Sequence, residues 1–141
     1  MKITKKQREA LRLKYSGRCA YTGKPLGDDW QVDHMTSVYN QTYNAYYTAT
    51  RPEEINEIIS KVHHTDNLVP ALRIVNHYKR SFDLEGFRRY MTDFHKRLGK
   101  LPKKTSVDRT AKRIEYMNKV ADAFGITPDK PFNGLFYFET I

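Results

Sequence analysis

Three short segments of this chain hold side chains able to do hydrolytic chemistry: Val32-Asp33-His34, Asn67-Leu68-Val69 and Asn76-His77-Tyr78-Lys79. Histidine is the side chain best poised to take a proton near neutral pH. A carboxylate and an amide oxygen, as in Asp33 and Asn76, suit a hard cation whose remaining positions water fills. Trp30 to Met35 alternates bulky apolar with polar side chains, the pattern of a half-buried strand. Neighbours on a strand point to opposite faces, so Asp33 and His34 address one site only where the strand ends. On spacing alone a plainer reading stands beside this one: a surface Asp-His pair, a structural Asn and a Lys at a helix end.

The elements that must position these groups follow from periodicity and caps. Residues 4–16 read as a helix capped by Thr4 and stopped by Gly17, with Lys5, Arg8 and Arg12 on its basic side. Thr22-Gly23-Lys24-Pro25 has turn chemistry. Residues 39–51, polar and tyrosine-rich, read as loop, and Tyr39, Tyr43, Tyr46 and Tyr47 either pack or stack on bases. Pro52 opens a helix through Val62 with Ile55, Ile58 and Ile59 on one side. Asn67 to Ala71 suits a short strand that Pro70 keeps to an edge or ends early, and Arg73 to Arg80 one or two helical turns. Asp83 caps a helix carrying Leu84, Phe87, Met91, Phe94 and Leu98 inward and closed by Gly99. Thr105 or Ser106 caps another, with Val107, Ala111, Ile114, Met117, Ala121 and Phe124 inward and Gly125 at its stop. Asn133-Gly134 is a tight-turn signal, and Leu135 to Phe138 reads as a short strand or a tail docked on its own domain. Trp30 reads as a core anchor, and His63-His64 as part of a polar loop.

Composition bounds the class. At 141 residues the chain has room for one domain. Its formal charge of +9 is uneven: residues 1–24 carry +7, 73–119 carry +9, and 25–72 carry −5. Two basic blocks around an acidic middle point to a polyanionic partner and a cation held against it. No apolar run approaches the ~20 residues of a membrane span, and a lone cysteine, Cys19, excludes a disulfide framework. The expectation is a soluble cytoplasmic protein without a membrane partner.

The segments Cys19-Ala20-Tyr21-Thr22, Asp33-His34, Asn67-Leu68-Val69 and Leu72-Arg73-Ile74-Val75-Asn76-His77-Tyr78-Lys79 fall in the order of the HNH nuclease signature. The chain resembles that family over roughly residues 15–80. It departs at the cysteines, where Thr22, Leu72 and Val75 stand in three of the four ribbon positions. A structural zinc needs about four N or S ligands, so none is expected, and apolar packing around Leu72 and Val75 should hold that corner. The resemblance implies an α+β fold: a ββα-metal core, preceded by a basic helix and followed by a helical extension over 81–141, within one domain.

It also implies a metal-dependent endonuclease or nickase acting on DNA, duplex most of all, phage- or mobile-element-encoded among other settings. In that reading His34 is the general base and Asn67 holds the His34 loop through amide-to-backbone bonds. Asp33 and Asn76 bind one divalent cation, Mg²⁺ with Mn²⁺ able to substitute. Lys79 and Arg80 steady phosphates, and Arg12, Arg88, Arg89, Arg109, Lys112 and Arg113 grip the backbone. His77 either faces solvent or makes a further metal or phosphate contact. A homodimer or a specificity-conferring protein partner is compatible with this, because one site cuts one strand. The alternatives are a non-catalytic nucleic-acid-binding module and an RNA-cleaving nuclease of toxin type.

Overall fold

A computed structural model describes residues 3–48 and 51–141 of the chain. The class is α+β: among the described residues there are seven α-helices and a two-stranded antiparallel sheet. Helix α1 (Lys5–Lys14) is opened by a capping box in which Thr4 Oγ1 accepts from the Gln7 N–H and the Gln7 side chain returns to the Thr4 N–H. Strand β1 (Gln31–His34) pairs with β2 (Leu68–Ala71), His34 opposite Leu68 and Gln31 opposite Ala71. Between the strands the chain makes a helical hairpin, α2 (Val38–Thr48) and α3 (Pro52–Val62).

Strand alternation sorts the sheet into two faces. Leu68 joins Leu11 and Trp30 in a small cluster against which Val32 packs, so α1 covers one face. Val69 and Ala71 belong to the main core with Val75 of α4 (Arg73–Lys79), so α4 covers the other. The main core continues through α5 (Leu84–Thr92), α6 (Phe94–Gly99) and α7 (Asp108–Phe124). Phe87, Phe94 and Phe136 are its largest fully buried apolar side chains, each contributing about 1.5–3 kcal/mol by removal from water. The C-terminal segment docks on this core. Phe136 stacks on Phe87, and the Tyr137 and Phe138 N–H groups donate to the carbonyls of Tyr21 and Ala20. Cys19 and Val75 are buried in the same cluster and Leu72 packs against it. Among the described residues no helix is long and apolar enough to cross a membrane.

Three elements differ from the sequence reading. The segment read as loop over 39–51 is helix α2 up to Thr48, with 49 and 50 outside the described residues. Its start is fixed by Ser37, whose hydroxyl accepts from the Asn40 N–H and whose carbonyl accepts from Gln41. Its partner α3 supplies the apolar side, so α2 needed little apolar periodicity of its own. The side chains of Tyr39 and Tyr43 lie outside the described residues; Tyr46 and Tyr47 are exposed. The helix expected over 84–98 breaks at Asp93 into α5 and α6, where Thr92 Oγ1 bonds back to the Arg88 carbonyl. Its inward stripe of Phe87, Met91, Phe94 and Leu98 stays buried across the break. Helix α7 starts later than expected. Val107 is its N-terminal boundary and is exposed, while Thr105 Oγ1 takes the Val107 N–H in a local turn.

Candidate functional site

His34 is the last residue of β1 and is half-buried. Its backbone is pinned on both sides. Lys79 Nζ donates to the His34 carbonyl at 2.9 Å. Two residues on, Asn67 Oδ1 accepts from the Thr36 N–H at 2.8 Å and Asn67 Nδ2 donates to the Thr36 carbonyl at 3.1 Å. An asparagine fits this place because one planar amide supplies a donor and an acceptor to the same peptide unit. The Met35 N–H adds a further bond to the Asn67 carbonyl, so the turn after β1 is fastened to the start of β2.

The His34 ring meets His63, which follows α3. Its Nε2 lies 3.3 Å from His63 Nδ1, with the rings edge-on. Burial holds the His34 pKa below its ordinary value and the neighbouring His63 lowers it further; Asp33 pulls the other way and Lys79 adds to the lowering. The imidazole is therefore held neutral near neutral pH, the state able to accept a proton.

Asp33 turns to the opposite face of β1. Its Oδ2 accepts from the Tyr21 hydroxyl and pairs with Lys79 Nζ at 3.1 Å, with both charged side chains nine-tenths buried or more. Burial, and then the Asp33 charge, pushes the Tyr21 phenol well above its usual range, so Tyr21 stays a donor. Asn76 Nδ2 donates to Gln31 Oε1 at 2.7 Å. Gln31 and Asp33 share a face of β1 by alternation, and α4 packs there. That leaves Oδ1 of Asp33 and Oδ1 of Asn76 without a hydrogen-bond partner among the described residues.

These two oxygens are the donors a hard cation prefers, and Mg²⁺ is commonly held by one or two carboxylates together with substrate phosphates. The fit is chemical and weak, because Lys79 already neutralises Asp33. Among the described residues no group of three His, Cys, Asp or Glu side chains forms a metal cluster. The structure thus brings His34 together with Asn67 and His63, and Asp33 with Lys79. It leaves the imidazole and the carboxylate on opposite faces of one strand end.

The remaining expected contacts separate into free and engaged cations. Lys79, expected at the surface steadying phosphate, is only 1 % exposed and serves Asp33 and the His34 carbonyl. Arg88, expected to grip a backbone, is held by Glu85, Glu139 and the Gly134 carbonyl, and the carboxylates hold its pKa above the usual arginine range. Arg12 pairs with Glu9 and Lys112 with Asp108. Arg80, Arg89, Arg109 and Arg113 are exposed and have no carboxylate partner among the described residues. His77 is exposed, with Nδ1 2.7 Å from the Tyr116 hydroxyl. His63, read from sequence as a polar loop residue, is a site neighbour that reading missed, as are Tyr21 and Gln31. The only sequence signal of His63 was being a histidine after an amphipathic helix, and a helical hairpin carries it back to the strand end. Comparison of the chain with protein-family models, curated proteins and solved structures returns no match.

Proposed function

We propose that the protein is a metal-dependent nuclease of HNH type, built on a ββα-metal core of β1, β2 and α4, that hydrolyses phosphodiester bonds in DNA. The observation that carries this is the state of His34: a neutral, half-buried imidazole on a strand end pinned by Asn67 and Lys79. With His63 Nδ1 accepting, the His34 proton sits on Nε2. Nδ1 of His34, which has no partner among the described residues, then accepts the proton of the attacking water. Water oxygen bonds to phosphorus as the P–O bond to the leaving group breaks. A divalent cation, held by Asp33 and Asn76 and completed by substrate phosphate, would supply stabilisation of the negative charge. The basic surfaces of α5 and α7 supply sequence-independent backbone contacts.

The His34–His63 contact favours a second reading, an RNase in which one imidazole removes the ribose 2′-hydroxyl proton and the other protonates the leaving oxygen. One panel tests both: plasmid DNA, single-stranded DNA and RNA, with Mg²⁺ or Mn²⁺ and with chelator, for the parent and His34→Ala. Metal-dependent DNA cutting lost in His34→Ala is the expected result. Chelator-resistant cutting of RNA alone selects the second reading. Undiminished cutting by His34→Ala overturns both, and salt-dependent binding without cutting under any condition leaves a non-catalytic binding module.

A further inference from the structure

A cavity of about 470 Å³ opens between α4, α5, α6 and α7. Five cations line it, Arg80, Arg97, Arg109, Lys112 and Arg113, and no carboxylate does. Among the described residues only Lys112 of the five has an acidic partner, Asp108. Tyr78, Tyr90 and Tyr116 form its aromatic wall.

Two further features mark it as built. Arg97 is tied to the aromatic wall: Nη2 donates to the Tyr90 carbonyl at 2.7 Å and its guanidinium lies 4.1 Å over the Tyr90 ring, while its Nε is buried with no partner among the described residues. Buried donors are rarely left unpaired. Arg80, which ends α4, is held at φ 54°, ψ −132°. A positive φ is rare for a residue with a Cβ, and such strain clusters at ligand sites.

We infer that this cavity is a second binding site, for a nucleoside phosphate, either free or as one unit of a nucleic-acid strand. Its volume lies within the range of small-ligand sites. Guanidinium forks match phosphate oxygens in pairs, and tyrosine rings and arginine planes accept a base without reading its sequence. The site stands on its own cations and does not depend on hydrolysis at His34.

The test is equilibrium binding to the full chain at fixed ionic strength in chelator, so that cleavage plays no part. Inorganic phosphate, a nucleoside diphosphate and a short labelled single strand are the probes. The diphosphate should saturate one site at least about tenfold more tightly than phosphate, a difference of about 1.4 kcal/mol. Arg109→Gln/Arg113→Gln should weaken it by a similar factor at an unchanged thermal midpoint. Lys14→Gln/Lys24→Gln, which removes the same charge from exposed sites outside the cavity lining, should leave it within about twofold. If the diphosphate displaces the strand, the site takes a strand's unit; if the diphosphate binds and the strand stays, it takes the free nucleotide. Equal weakening by both double variants, or no saturable binding of the diphosphate, overturns the assignment.

Discussion

His63 Nδ1 stands 3.3 Å from His34 Nε2, on rings set edge-on, although the two residues are separated by the whole α2–α3 hairpin. The contact both buries His34 and places a second titratable imidazole against it, and both act to keep His34 neutral. His63→Ala should therefore raise the His34 pKa. An NMR titration of the His34 ring, and the acid limb of any pH–rate profile, should move upward together. A limb that stays in place would assign the lowering elsewhere. The sign for stability is the reverse of an ion-paired histidine. A folded pKa below the ordinary 6.5 means the unfolded chain binds the proton more readily. That contribution is present above about pH 6.5 and is lost as pH falls toward the folded value.

The Asp33–Lys79 pair is the most deeply buried ion pair among the described residues, with side chains 9 % and 1 % exposed. Lys79→Met leaves a carboxylate facing only the Tyr21 hydroxyl and should lower stability by about 3–5 kcal/mol in urea unfolding. Adding Asp33→Asn to that variant should recover part of the loss, because no buried charge then remains. Equal midpoints for single and double variants would mean that the pair is not energetically coupled.

Asn67 fastens the peptide unit of Thr36 by both ends of its amide. Asn67→Ala removes both bonds and should cost about 1–3 kcal/mol, with a fall in kcat beyond what the unfolded fraction explains. Asn67→Asp keeps the acceptor for the Thr36 N–H and loses the donor, so its stability should lie between parent and alanine variant. Thermal unfolding with turnover at a temperature where every variant is folded separates the two effects.

Gly23 has φ +73°, and a Cβ there would stand 2.7 Å from the Tyr137 ring of the docked C-terminal segment. Gly23→Ala meets two penalties, a left-handed backbone costing about 1–2 kcal/mol and a steric clash with the ring. In a Tyr137→Ala background only the backbone penalty remains, so the same substitution should lower the thermal midpoint less there. An identical drop in both backgrounds would show that the ring is not in contact.

Much of the fold was legible because it rests on local rules. The Thr4 cap, the alternation of Gln31 to His34, Pro52 at the start of α3 and the inward stripe of Phe87, Met91, Phe94 and Leu98 each depend on neighbours a few residues away. Helix α2 was not legible because its stability comes from α3, and its own residues carry no clear apolar face. The break at Asp93 was hidden for the opposite reason: the apolar stripe runs straight across it.

By itself the sequence determined which residues could do chemistry, the strand that carries Asp33 and His34, and the excess of positive charge. Only the tertiary structure decided which charges are free. Lys79 and Arg88 look identical to Arg109 and Arg113 in a charge count, yet the first two are consumed by Asp33 and by Glu85 and Glu139, while the last two line an open cavity. It also decided the company of His34, because a side chain's protonation depends on burial and on charges brought close in space, and residue spacing encodes neither.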